Sequence, residues 1–340
     1  MRILPSGRRD WIRLSVLGAS LLSLTSCGYW ATMGFEASRG DEWDGLPTPA
    51  EEAIRPRLEA HVRMLSETIG ERHLEGRANA LAAAAAHIRD GLAAAGLVSR
   101  AIPFPANGLE AENVEAVRLG AGGLSGEIVV GAHYDTVPGT PGADDNATGV
   151  AALLEIARLL PAKALRRTIR FVAFANEEPP YFLTEAMGSM AYARRLQANA
   201  VNVAAMLSLE SLGRYSDVDG SQDYPFPLGL RYPSRGNFVA FVGNVGSRAL
   251  VDRCLAAFRK RVSFPAEGAA LPEFLPGAAW SDHASFWKAG FPALMATDTA
   301  TFRTKDYHTG LDRIDRLDFP RFARVVLGLA GVVETLADEG

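Results

Sequence analysis

Glu127-Ile128-Val129-Val130-Gly131-Ala132-His133-Tyr134-Asp135 is an apolar, β-branched run that ends abruptly in ionisable side chains. Two more stretches repeat the pattern. Phe171-Val172-Ala173-Phe174-Ala175 leads into Asn176-Glu177-Glu178, and Ala204-Ala205-Met206-Leu207-Ser208-Leu209 leads into Glu210. Short, nearly continuous apolar runs fit strands buried on both faces of a parallel sheet. In open α/β sheets the functional crevice lies beyond the carboxyl ends of such strands. Charged groups placed there by three separate strands should therefore converge. Unpaired carboxylates are strongly disfavoured in an interior, so the cluster needs cations.

Working outward, strand and helix patterns alternate. Further strand-like runs occur at Asn113–Leu119, Asn237–Val242 and Ala293–Ala296. Helical patterns occur at Pro49–Glu67, Arg77–Ala95, Ala147–Leu160, Ala186–Ala198, Ser247–Arg261, Ser281–Ala289 and Pro320–Ala337. Alternation of this kind predicts a three-layer α/β/α fold, a mixed and mostly parallel central sheet flanked by helices. Residues 213–236, with three prolines and no periodicity, read as a long loop of the sort that forms lids near α/β sites.

Between the first two strands lies Gly142-Ala143-Asp144-Asp145-Asn146-Ala147-Thr148-Gly149-Val150, a turn dense in small and acidic residues that opens a helix. One aspartate suffices for an N-cap; the second carboxylate is free to bridge metal ions. His133 and Asp135 are two apart and share one side of an extended chain, as a ligand and the carboxylate that orients it do. The chain contains no G-x-S-x-G elbow, C-x-x-C pair, H-E-x-x-H helix or P-loop.

Taken in order, His133-Tyr134-Asp135-Thr136, Gly142–Gly149, Asn176-Glu177-Glu178, Glu210 and Tyr307-His308-Thr309 resemble the blocks of the co-catalytic zinc aminopeptidase family, which also holds certain carboxypeptidases and the glutaminyl cyclases. The resemblance implies a zinc-dependent exopeptidase with two zinc ions. It implies that Asp144 bridges them, that His133 and Glu210 complete one set of ligands, and that Glu178 and His308 complete the other. It further implies Glu177 as general base, Asp135 as the group orienting His133, and a cis Asp144–Asp145 peptide. Many family members carry aspartate where this chain has Glu210. The family also has an S-D-H block near the site, here Ser281-Asp282-His283, in which His283 is a candidate for contact with substrate. The segment Pro179–Glu185 is expected to border the pocket for the first side chain and to favour apolar residues.

The implied activity is removal of N-terminal residues from peptides with a free N-terminus. Three rival readings are a glutaminyl-cyclase-like acyltransferase needing one zinc, a carboxypeptidase with a basic pocket, and a non-catalytic cell-envelope binding protein. A complete set of five ligands plus a base disfavours the first and last.

The N-terminus is of another character. Arg2, Arg8, Arg9 and Arg13 precede an apolar stretch, Leu14–Leu24, that is shorter than a membrane-spanning helix requires. Leu24-Thr25-Ser26-Cys27 resembles the lipobox of bacterial lipoproteins, and Arg8-Arg9 resembles a twin-arginine export signal. Residues 1–27 are thus expected to be a lipoprotein signal peptide, 28–47 a tether, and 48–340 the peptidase domain. Export and a lipid anchor facing the periplasm or the cell exterior follow. The formal charge is −4, without the basic footprint of nucleic-acid binding. Cys254 is the one cysteine besides Cys27, so no disulfide framework is available, and it reads as a small core residue.

Overall fold

A computed structural model describes residues 34–35, 43, 45–161 and 165–339. The expected signal peptide, the lipobox and most of the tether lie outside the described residues. Phe35 and Trp43, within the stretch read as tether, lie on the domain: Phe35 is buried under the guanidinium of Arg248, and Arg321 covers Trp43. Among the described residues no helix is long and apolar enough to cross a membrane.

Eight strands form one sheet: β1 (Ser99–Ala106), β2 (Leu109–Arg118), β3 (Glu127–His133), β4 (Ile169–Phe174), β5 (Val203–Glu210), β6 (Val239–Asn244), β7 (Ala266–Leu271) and β8 (Ala293–Thr297). Their spatial order is β1-β2-β4-β3-β5-β8-β6-β7. The centre, β4-β3-β5-β8, is parallel throughout. β2 and β6 run antiparallel to it on either side. The central strands are buried along nearly their whole length, as the apolar runs require.

Among the described residues seven α-helices cover the sheet: α1 (Pro49–Arg63), α2 (Leu74–Ala94), α3 (Gly149–Leu159), α4 (Gly188–Ala198), α5 (Arg248–Arg261), α6 (His283–Lys288) and α7 (Phe319–Asp338). Helix α1 starts at a capping box in which Thr48 and Glu51 satisfy each other's backbone N–H groups. It widens into a π-helical turn, Met64–Ile69. Helices α1, α2, α3, α5 and α7 share the larger apolar core on one face, with Val130, Leu207 and Phe241 from the strands. Helices α4 and α6 cover the other face over Val129, Phe174 and Met206. They stop short of β6 and β7. There the segment 213–236 folds over the sheet instead, with a 3₁₀ turn at Leu228–Leu230.

Strands β1 and β7 are not evident from the sequence. β1 carries Pro103 and Pro105, which only an edge strand tolerates, and its outer edge is unpaired in the sheet order. β7 reads Ala-Glu-Gly-Ala-Ala-Leu, with little β-branched character. Its partner β6 and burial on both faces hold it in place.

Candidate metal centre

The carboxyl ends of β3, β4, β5 and β8 meet at one buried crevice. His133 closes β3, Glu177 and Glu178 follow β4, and Glu210 closes β5. Asp145 arrives on the turn after β3, and His308 on the loop after β8. Backbone strain concentrates at these ends. Asn176, Ser211, Thr299 and His308 all have left-handed φ values, of 57°, 44°, 86° and 58°. Each non-glycine residue so held costs on the order of 1 kcal/mol or more, and such strain collects at functional sites.

The side chains interlock around Asp145. His133 Nε2 lies 3.2 Å from Asp145 Oδ1 and 3.3 Å from Glu210 Oε2. His308 Nε2 lies 3.1 Å from Asp145 Oδ2 and 3.2 Å from Glu178 Oε1. Donor atoms about 2.0–2.1 Å from one tetrahedral zinc stand roughly 3.3 Å from each other, so both triads have the spacing of ligands about a common ion. Within them Asp145 Oδ2 and Glu178 Oε1 are buried with no hydrogen-bond partner among the described residues, as metal-directed polar atoms would be. His308 is the accessible member, its side chain 32% exposed, and gives the crevice its opening.

The bridging position corrects the expectation drawn from the resemblance. Asp145, not Asp144, faces both histidines, and the cis bond is Asp145–Asn146, not Asp144–Asp145. Asp144 is turned away from them: its Oδ1 accepts from the N–H of Gly213 at 2.8 Å and lies 3.3 Å from the Thr148 hydroxyl. Burial and the neighbouring Asp298 and Asp312 hold its carboxyl well above the usual range. Asn146 clamps the turn from the other side, donating to Leu209 O and accepting from Gly149 N and Ser211 N. Glycine is required at position 142, where φ is 60° and a Cβ would meet Asp145 O at 2.5 Å.

Asp135 lies 3.6 Å from His133 Nδ1, and its two oxygens accept the N–H groups of Glu177 and Glu178 at 3.1 Å each. It thus ties the β3 ligand to the β4 loop. Glu177 stands with His133 and Glu178 in a third close group. Burial pushes its carboxyl well above the usual range, reinforced by Glu178, Asp282 and Glu210 and opposed by His133. Glu178 is pushed up to about 8 by burial and by Asp145. Without added cations these carboxylates resist full ionisation.

Three supports carry no motif. Arg72, fully buried, donates to the carbonyls of Tyr134, Pro141 and Gly142 at 2.7, 2.9 and 3.1 Å, holding the loops that bear Asp135 and Asp145. Asp312 accepts from the N–H groups of Asp144 and Asp145, 3.0 Å each. Asp298 accepts from Arg214 N and Ala300 N. In sequence each lies between patterned segments with no motif around it.

The S-D-H block divides. Ser281 donates to Glu210 Oε2 at 2.8 Å, and Asp282 is a fully buried carboxyl within the field of His133 and Glu210. His283 points elsewhere: its Nε2 sits 2.8 Å from Ala278 O and its ring abuts Trp287. Pro179–Glu185 does not line the groove beside the centre, whose walls come from residues 222–302 with Tyr307. Within that segment the Tyr181 hydroxyl is spent on Glu75.

A crevice of buried carboxylates and imidazoles at the strand ends of an α/β sheet defines a metal-dependent hydrolase. Residues 113–333 match peptidase family M28, and the chain belongs to that family; it is a zinc metallopeptidase. The Escherichia coli (strain K12) protein named Uncharacterized protein YfbL is 37% identical over 84% of this chain and 90% of its own length. A probable leucine aminopeptidase of Arthroderma otae is 30% identical over 62% of this chain and 54% of its own length, so the chain spans about half of that relative. In fold, the chain is similar to BSAP, a zinc aminopeptidase from Bacillus subtilis, with a TM-score of 0.65 and 16% identity over 84% of this chain and 95% of the other.

Proposed function

We propose that the protein removes single residues from the free N-termini of peptides, at a centre of two zinc ions held by His133, Asp145, Glu178, Glu210 and His308. The observation that carries this is Asp145 presenting one carboxylate oxygen to each histidine-containing triad. A carboxylate in that position would hold two ions, one through each oxygen. Bound zinc supplies a lowered pKa for a shared water and polarises the substrate carbonyl.

The chain's own residues do the rest. Glu177 takes a proton from the attacking water and hands it to the leaving amine, the work of a positioned carboxylate whose pKa is raised toward the working range. Asp135 fixes the backbone of Glu177 and Glu178 and steadies the His133 ring. Ser281 holds Glu210 in place, which offsets the freedom of the longer side chain. The name of the Arthroderma relative supports the aminopeptidase reading over a carboxypeptidase. A cyclase with one ion would leave one of the two triads without a purpose.

The test compares aminoacyl p-nitroanilides with free and acetylated amines, before and after chelation. Turnover confined to the free amines, lost with chelator and restored by zinc, is expected; equal hydrolysis of the acetylated substrates contradicts the reading. The lipobox-like run and the basic leader support a location outside the cytoplasm on a lipid anchor at Cys27. Cys27→Ser should move it from the membrane to the soluble fraction, and unchanged fractionation would remove the anchor.

A further inference from the structure

Gly34 and Phe35 are pinned to the β7 edge of the sheet. Arg248 donates to Gly34 O and Arg231 to Phe35 O, at 3.1 Å each. The Phe35 ring is buried so close to β7 that a Cβ at Gly268 would meet it at 3.1 Å. Cys27 precedes Gly34 by seven residues, which span at most about 25 Å when fully extended. The sheet is eight strands wide with β1 and β7 at its two edges, about 34 Å apart. A lipid carried on Cys27 therefore lets the domain stand on a bilayer with its β7 edge down. The same tether is too short for it to stand on β1.

The β7 edge carries exposed aromatic side chains. Among the described residues the large apolar side chains left exposed include three aromatic ones, Phe226, Phe274 and Trp280. All three come from the two loops that border β7, residues 213–236 and 272–282. Phe226 and Phe274 are each 85% exposed and Leu230 is 83% exposed. Phe226 and Leu230 flank Leu228, which packs in one cluster with Tyr232, Leu271 and Leu275, and Phe274 adjoins Leu275. The three exposed side chains thus rim one small core. Leu230 also directly precedes Arg231, the residue that holds Phe35, so the rim begins where the tether arrives.

Exposed apolar surface gathered in this way marks an interaction face, and phenylalanine, tryptophan and leucine settle readily at the boundary of headgroups and acyl chains. The charged neighbours are engaged elsewhere: Glu273 accepts from Asn244 Nδ2 at 2.8 Å, and Arg231 lies over the Tyr232 ring. With a formal charge of −4, the chain has no general attraction to anionic lipid, and contact must rest on apolar burial.

We infer that Phe226, Leu230 and Phe274 insert into the surface of a lipid bilayer and dock the β7 edge of the domain on it. The inference rests on the lipid anchor at Cys27 proposed above and gives the anchored domain an orientation. Tyr224, Pro225, Pro276 and Trp280, from the same two loops, line the groove beside the metal centre. Docking therefore brings that groove to the membrane surface.

The test uses the lipidated protein reconstituted in phosphatidylcholine vesicles. Leu230→Cys, Phe274→Cys and, beside β1, Val98→Cys each carry an environment-sensitive dye in turn. Cys254 is buried and does not compete for the label, and Val98, 92% exposed, is the reference. Thermal melts matching that of the native protein show that the labelled chains are folded. On vesicles, emission at 230 and 274 should shift to the blue and be quenched by phospholipids bearing a nitroxide in the acyl chain; emission at 98 should do neither. The shift should persist at high salt, which screens only charge. Vesicle-bound protein whose labels at 230 and 274 respond no more than the label at 98 overturns the docking and leaves the anchor standing. A blue shift at 230 that grows with protein concentration in the absence of lipid assigns the face to a second copy of the chain, and overturns it too. Failure of the protein to join the vesicles overturns both docking and anchor.

Discussion

A buried carboxylate on β2 and the cluster of buried carboxylates at the strand ends are neutralised in opposite ways. Glu115 on β2 is 1% exposed, yet Arg100, Arg170 and the Tyr192 hydroxyl all donate to it, at 2.6, 2.7 and 2.6 Å. Burial alone would raise its pKa; those donors more than reverse this, and the carboxyl titrates below its usual range. At the metal centre Asp145, Glu177, Glu178 and Glu210 are equally enclosed, but only His133 and His308 stand among them. Arg72, whose charge is felt by Asp145 and Glu178, is spent on carbonyls. The lesson concerns charge balance. A buried carboxylate cluster that the chain neutralises itself is a strut, and one that it leaves short of cations is a site.

The largest expected effect comes from the base. Glu177→Gln should lower kcat by about 10³-fold or more while bound zinc, measured by elemental analysis, stays at the native level. Asp145→Asn should follow, since losing a bridging ligand costs more than the about 10- to 100-fold in metal affinity that outer contacts carry. Asp144→Asn should keep its zinc, because that side chain faces Gly213 and Thr148. The same pair of variants decides between the two aspartates of the turn.

Glu115→Ala sharpens the comparison from the other side. Breaking a buried ion pair leaves Arg170 short of a partner and should cost about 3 kcal/mol or more of stability in urea unfolding. Zinc content and kcat/KM should be unchanged. A loss of zinc there would erase the distinction between strut and site.

The smallest effect concerns buried bases, where the sign reverses. His61, 3.0 Å from His87, and His283 are both pushed down to about 4, chiefly by burial. Protonating them is harder in the fold than in the unfolded chain, where histidine titrates near 6.5. Their contribution is therefore complete above about pH 6.5 and lost as pH falls toward 4. His61→Asn should flatten the acid limb of a stability–pH curve; an unaltered limb would show that His61 is solvated.

Much of this was legible in the sequence, and the reason is local. The apolar runs that end in His133, Glu177-Glu178 and Glu210 specify both a central parallel strand and the position of its last side chain. Convergence of those ends follows from sheet topology. What escaped was non-local or hidden by small residues. Which of Asp144 and Asp145 turns inward depends on Gly213, Asp298 and Asp312, far along the chain. Strands β1 and β7 depend on their places in the sheet. Arg72 gains its meaning only from the carbonyls around it.

The central claim is that Asp145 joins two ions in one centre. Native mass spectrometry of the purified protein, run beside Asp145→Asn and Asp144→Asn, tests it most directly. Two zinc ions per chain in the native and Asp144→Asn proteins, with at most one weakly held in Asp145→Asn, is the predicted result. A single ion in all three, or undiminished zinc in Asp145→Asn, would contradict it.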